Sequence, residues 1–482
     1  MGISLRIAIG LLCFGQAFAR LDEKNPSDTW LQNCQDQYPG LEVITRDVAI
    51  VGGGSTGTYA AIKLRDLNYT VSVVERQGRL GGHTETYIDP STNTPIDYGV
   101  VVWHDLDIVR SYFARFGIPL TKAGSFGPES LYFDFSTGEH SNYSDSDPTT
   151  ALAAYEEQVE KYPYLEDGFD IPYPVPEDLL LPFKDFVDKY GLDNILMTIF
   201  LIGQGLGDIL RLPTIYIMKI VGLDTLRNIR NGFLTTLRGN NSEIYSLARA
   251  ELGPDVHLHS TVLSTSRTST STRLLIRTPS GPKVILAKQL LLTIPPTPTN
   301  LRPFALDARE RALFSQFKHS YYLTGLLTGT GLPPNATLSN VDTARPFALP
   351  ALPAAYYFAP TRVAGTLDVK FGAPIGASAD PSGAAPAAAV RASIVATAER
   401  LRAANGWGAD GESPAFVAFS DHSPFEMVVG ADAVAGGFYR RLGALQGYRG
   451  VWWTGAAWHT HDSSLLWRFT EGVVERLVER LG

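Results

Sequence analysis

The chain has 482 residues, 44% of them hydrophobic and 19% charged, with a net charge of −8. That length and balance supply a large buried core and about two to three domains' worth of chain, and they exclude a disordered protein. The mild acidity leaves no electrostatic case for nucleic acid or an anionic membrane as a partner.

The amino terminus reads as a secretory signal. Arg6 supplies the basic start, IAIGLLCFGQAFA is a short apolar run, and Ala17-Phe18-Ala19 is a small-x-small site. Cleavage is expected after Ala19, with the protein secreted or in the secretory pathway. A membrane anchor would need about 20 apolar residues, and this run is shorter. Cleavage removes Cys13 and leaves Cys34 alone, so no intrachain disulfide is expected. Sequons at Asn68, Asn142, Asn240 and Asn335 suit the same route and are candidate N-glycan sites.

From Arg46 the pattern is strand, glycine turn, helix, strand. DVAIVG suits a buried parallel strand, TYAAIKLRDL has helical spacing, and TVSVVE is a second strand. Together they make a βαβ unit of about 30 residues. Gly52, Gly54 and Gly57 form G-x-G-x-x-G between the first strand and the helix. Gly52 permits the tight turn, Gly54 lets the backbone approach a pyrophosphate, and Gly57 allows close helix–strand packing. Ser55 and Thr56 lie in the turn GGSTG, and the helix N-terminus that follows offers free N–H groups and a dipole that favour phosphate. Glu75 ends the second strand, where an acid can accept bonds from ribose hydroxyls, and Arg76 follows it. These features predict a dinucleotide site without separating FAD from NAD.

The next segment, ERQGRLGGHTETY, carries Arg79, Gly81, Gly82 and His83. It resembles the R-x-G-G-R/H signature of the flavin-containing amine oxidase superfamily. The resemblance implies FAD as cofactor, with the two glycines presenting N–H groups to the pyrophosphate. His83 stands where Arg is more frequent.

Residues 126–180 are rich in Ser, Asp, Pro and Tyr and read as loops and short pieces; residues 180–245 read as mostly helical. Within the latter, ILMTIFLIGQGLGDILRLPTIYIMKIVG is apolar, but Asp208, Arg211 and Lys219 interrupt it and Pro213 breaks it. Buried helices are expected, with no integral membrane span. Gly203, Gly205 and Gly207 have the wrong spacing for a second fingerprint, so no NAD(P)H domain is expected. VHLHSTVLSTSRTSTSTRLLIRTPSGPKVILAKQLLLTIPP reads as alternating strands with an SG turn. Val262, in its first part, joins the cofactor-binding candidates. Residues 371–392 read as a surface loop before the helix VRASIVATAERLRAA.

The carboxyl terminus, GVWWTGAAWHTHDSSLLWRFTEGVVERL, reads as a strand over Val451–Thr454, a loop from Gly455, an N-cap at Asp462 or Ser463, and a helix. In the same superfamily such a strand, glycine, loop and helix tip run along the flavin. The resemblance implies that the N–H groups of Ser464, Leu465 and Leu466 face flavin N1 and O2, where a helix N-terminus stabilises the reduced anion. Two positions depart from the superfamily. Ala457 replaces the acid that grips the ribityl hydroxyls, and Leu465 replaces the aromatic of the amine oxidases' substrate cage.

The tail from Phe419 more closely resembles the fungal secreted FAD-dependent oxidoreductases typified by β-cyclopiazonate dehydrogenase. The shared features are D-H-x-P-F at Asp421–Phe425, GFY at Gly437–Tyr439, LQG at Leu445–Gly447, and TGAA with DSS-LLW. The fold class implied is α/β: a Rossmann-like FAD-binding domain dispersed along the chain, with an inserted α+β substrate domain. Its parts are expected at 44–125, 245–300 and 415–482 for FAD, and at 126–244 and 301–414 for substrate. The activity implied is a two-electron oxidation of a small, largely apolar metabolite in fungal secondary metabolism. The alternatives are a polyamine or amino-acid oxidase, and a flavin-dependent isomerase without net redox change. His422 and His459 are the candidate bases. Trp458 and Trp467 are candidate pocket walls, with core packing the competing role for Trp467.

Overall fold

In the computed structural model, residues 26–124, 130–144, 147–380, 382–408 and 413–482 are described. The signal segment lies outside them. The chain divides into a short amino-terminal unit, 1–41, and a large unit, 42–482. The short unit contributes one helix, Pro26–Gln37.

The large unit is built on two sheets. The first has seven strands. Its centre is β1 (Glu42–Val51), flanked by β2 (Val71–Val74) and β3 (Gly281–Leu292), both parallel to it. The last strand, β4 (Val451–Trp453), pairs parallel with the end of β3. Val48, Ala49 and Ile50 are fully buried, as are Val71, Val73 and Leu290–Leu292. Apolar residues on both faces are what a parallel sheet covered on both sides requires. The register brings Val74, Val51, Leu292 and Trp453 level. The carboxyl ends of four parallel strands therefore open on one edge, where open α/β sheets bind ligands.

Helix α1 (Ser55–Asp66) returns from β1 to β2 and packs against the carboxyl-terminal helix α2 (Ser463–Glu479). Trp467 is fully buried here. It stacks on Trp103 at 4.9 Å and Tyr59 at 5.6 Å, so it is a core residue.

The second sheet has six strands, drawn from 130–133, 322–328, 337–340, 354–360, 367–372 and 415–421. One face carries Leu323, Phe358 and Val369, which pack with Val390 and Ile394 of the helix Ala387–Asn405. Ser420, Thr324, Lys370 and Tyr357 lie in one cross-strand row, each adjacent in sequence to the core positions and so on the other face. Ser420 Oγ donates to Glu85 Oε1 (2.7 Å) and Lys370 Nζ to the Tyr98 carbonyl, which ties this face to the loop following β2.

Two expectations change. The strand Ala415–Asp421, expected with the FAD segments, pairs with Tyr322–Thr328 in the second sheet. The stretch 126–180, read as loops and short pieces, holds the eleven-residue helix Thr149–Val159. No helix among the described residues is long and apolar enough to cross a membrane.

Candidate active site

One cavity of about 320 Å³ opens at the level strand ends. That is the size range of small-molecule sites, about 300–1,000 Å³. Its wall is formed by Gly52, Gly54, Ser55, Thr56, Glu75, Arg76, Gly81, Gly82 and His83 from the first βαβ unit and the loop after it, and by Gly455–Trp458, His461, Ser463 and Leu466 from the carboxyl-terminal turn. Val262 and the turn Thr293–Pro296 complete the floor.

The glycine turn is shaped by contacts within the chain. Gly52 has φ +106°, and a Cβ there would lie 2.4 Å from Thr293 Oγ1; a Cβ on Gly57 would lie 1.9 Å from the Gly52 carbonyl. Gly57 therefore serves packing and does not line the cavity. Gly54 differs: a Cβ would meet nothing nearer than Gly82 Cα at 3.8 Å. The space over Gly54 is open on the protein side, which is the clearance a pyrophosphate needs. No side chain caps the first turn of α1, so its N–H groups remain for an anion. Glu75 accepts from Gly53 N–H (2.6 Å) and Gln77 N–H (2.7 Å), holding the turn against the end of β2. Arg79 does not line the cavity. It binds Glu85 and the carbonyls of Gly82 (2.8 Å) and Thr84 (3.0 Å), bracing the loop.

At the other end, Asp462 is the N-cap of α2, and its Oδ1 accepts from Leu465 N–H at 2.9 Å. The Leu466 N–H bonds the Asp462 carbonyl at 2.9 Å. This corrects the expectation for that turn: the donors of Leu465 and Leu466 are spent within the helix, and Ser463 and Ser464 hold the first-turn N–H groups that remain. The side chains of Ser463 and Leu466 line the cavity, whereas Ser464 Oγ accepts from the His104 N–H (3.0 Å).

The histidines separate sharply. His459 does not line the cavity. Its Nε2 donates to the Glu166 carbonyl (2.8 Å) and lies 3.3 Å from Lys219 Nζ, in a buried cluster where desolvation pulls Lys219 down to about 7. It is thereby removed as a candidate base. His461, two residues on, does line the cavity. Its Nε2 accepts from Glu426 N–H (3.0 Å), which puts the neutral ring's proton on Nδ1. Burial, with His422 nearby, holds its pKa down to about 3. His83 stacks on His422 with centroids 4.2 Å apart and on His461 at 5.7 Å. Burial keeps His83 well below the usual histidine range, and among the described residues none bonds its ring nitrogens. His422 sits behind it, with Nε2 3.2 Å from Glu85 Oε2. The strand-end turn Thr293–Pro296 was findable from sequence, because KQLLLTIPP already read as a buried strand. His461 was not, since the turn Ala456–Trp458 decides which of two nearby histidines faces inward.

A family profile for NAD(P)-binding Rossmann-like domains matches residues 50–116. Over 448 residues the chain is 39% identical to the FAD-dependent oxidoreductase pigF of Monascus ruber, covering 91% of this chain and 93% of that one. The chain belongs to the FAD-dependent oxidoreductases. This oxidoreductase is also 35% identical to the β-cyclopiazonate dehydrogenase of Aspergillus oryzae over 440 residues, covering 90% and 94% of the two chains. Among solved structures it shares its fold with the CLA-producing fatty acid isomerase from P. acnes (TM-score 0.72, 17% identity, 89% and 98% covered). It likewise resembles putrescine oxidase bound to putrescine (TM-score 0.63, 19% identity, 91% and 100% covered). The cofactor of this oxidoreductase is FAD. The open space over Gly54, the uncapped first turn of α1 and the acid at the end of β2 all fit it.

Proposed function

We propose that this enzyme takes two electrons from a C–H bond of a small, largely apolar metabolite. The observation that carries the reading is that one cavity touches both the glycine turn of β1–α1 and the amino-terminal turn of α2. FAD held there would supply the two-electron acceptor. Gly54 and the first turn of α1 would hold its pyrophosphate, and the free N–H of Ser463, on the adjoining tip of α2, adds a second donor along the same cavity. Ile294, Pro296, Phe304, Met427 and Trp458 give the wall its apolar character, which selects a substrate of the same kind. His83 is the proton acceptor in this reading. Its ring lines the cavity, and among the described residues no hydrogen bond holds its ring nitrogens. His461 offers its fixed Nδ1–H as a donor. The relative named β-cyclopiazonate dehydrogenase supports the same class, as does Leu465 in place of an amine-cage aromatic.

Secretion belongs to the same proposal. Asn68, Asn142 and Asn335 are exposed and open to a glycan, whereas Asn240 is half-buried with its Oδ1 shielded from solvent.

The test is spectroscopic. Purified protein is expected to show a flavin absorption band. Under anaerobic conditions that band should bleach with an apolar metabolite such as β-cyclopiazonate and not with putrescine. Colourless protein that refuses added FAD overturns the cofactor site, and bleaching by putrescine alone overturns the substrate class.

A further inference from the structure

We propose that His104 is a positioning residue for the bound flavin, acting through Asp462 on the first turn of α2. The inference rests on the reading that FAD lies along that turn.

The chain of contacts begins at Asn228. Its Oδ1 accepts from the Asp105 N–H (2.9 Å) and its Nδ2 donates to the Asp224 carbonyl (2.7 Å). One backbone donor and one backbone acceptor thus fix which way the amide points. The same Nδ2 lies 3.1 Å from His104 Nδ1, so Nδ1 accepts and the ring carries its proton on Nε2. That Nε2 is 3.4 Å from Asp462 Oδ2. Asp462 uses its other oxygen to cap Leu465 and its carbonyl to hold Leu466. The His104 main-chain N–H meanwhile donates to Ser464 Oγ. One residue therefore grips the cavity-lining turn twice, by ring and by backbone. His104 is buried to 3% exposure, and its neighbour Trp103 is stacked on Trp467.

The electrostatic consequence follows from the sign of the cap. A carboxylate at the tip of α2 caps the helix well, but it opposes negative charge building up on a neighbouring reduced flavin. The Nε2–H of His104 draws density from Oδ2 and fixes Oδ1 on Leu465, which offsets part of that opposition in a water-poor site. Without it, the carboxylate is less compensated and free to turn.

The test uses the FAD-loaded enzyme and reads the midpoint potential of the flavin by anaerobic, dye-coupled reduction. His104→Phe keeps a ring against Phe233, now 5.3 Å away, and drops the N–H. It is expected to shift the balance about tenfold toward oxidised flavin, about 30 mV downward for a two-electron couple. His104→Gln restores an N–H donor and should stay within about threefold of wild type. Asp462→Asn keeps an oxygen for the cap and removes the charge, so it should shift the potential upward and abolish the effect of His104→Phe in the double variant. A shift in Asp462→Asn with none in His104→Phe overturns the role of His104 and leaves the placement of FAD intact. No shift in either variant, with FAD still bound, overturns the placement itself. If the Phe variant does not retain FAD, Asn228→Leu reads the same link. It releases the ring from its fixed orientation and must also lower the potential; an unchanged potential there overturns the proposal.

Discussion

At the scale of single residues, glycines with one sequence signature do different work. Gly57 is closed by the chain itself and Gly54 is not, a distinction that G-x-G-x-x-G alone cannot make. Gly54→Ala is therefore expected to fold normally and lose FAD, because the added methyl occupies only the pyrophosphate's space. Gly57→Ala is expected to lose both FAD and thermal stability, because its methyl strikes the Gly52 carbonyl. Flavin content and melting temperature, measured side by side, check this. A Gly54→Ala protein that retains full FAD contradicts the close approach. Glu426 supplies a pH effect. Burial raises its carboxyl from an ordinary 4.5 to about 8, and its Oε1 has no partner. Between those values the unfolded chain releases a proton that the folded chain keeps, so stability falls as pH rises, by about 1.4 kcal/mol per pH unit at most. Above the folded value the loss levels off. Against Glu426→Gln, the melting temperature of the wild type should fall progressively between pH 5 and pH 8, and parallel curves would contradict the burial argument.

At the scale of elements, the nucleotide-binding strands were legible because a buried parallel strand needs β-branched and aliphatic residues on both faces. DVAIVG, TVSVVE and KQLLLT contain little else. The helix Thr149–Val159 was not legible. Its alanines and glutamates favour helix, but the Ser-, Asp- and Pro-rich surroundings dominate any window drawn over it, and Asp147, which bonds the Thr149 N–H at 2.9 Å, reads equally well as a loop residue. The site was half legible for the same kind of reason. Backbone features such as the glycine turn and the N-cap at Asp462 follow from local sequence. Side-chain direction does not. His459 and His461 differ only by the path of one short turn, and Ala415–Asp421 shows no local sign of which sheet will claim it. The donors of Leu465 and Leu466 were misjudged because a cap spends the N–H groups it satisfies, and the choice between Asp462 and Ser463 as cap decides which ones stay free.

At the scale of the whole molecule, distant segments are joined by buried polar contacts as well as apolar packing, and Arg267–Glu310 is the clearest of them. Arg267 ends the strand Thr261–Arg267 and Glu310 lies in the helix Ala308–Phe314. Their side chains are 0% and 1% exposed, and the two ends meet in a forked pair at 3.0 and 2.6 Å. Arg267 also donates to the Ala305 carbonyl at 3.1 Å, and Glu310 completes a capping box with Asp307. Removing Arg267 leaves the buried Glu310 charge with only Arg449 Nη1, 3.7 Å away, as a nearby cation, so Arg267→Leu is expected to destabilise the protein by up to about 3–5 kcal/mol. Replacing both by leucine removes the stranded charge and should recover most of that loss. It still forfeits half of the capping box, about 1 kcal/mol. Chemical denaturation of the single and double variants separates these terms. A double variant no more stable than Arg267→Leu would mean that the stranded charge is not what matters, and that the contacts of the arginine with the Ala305 turn hold the strand to the helix.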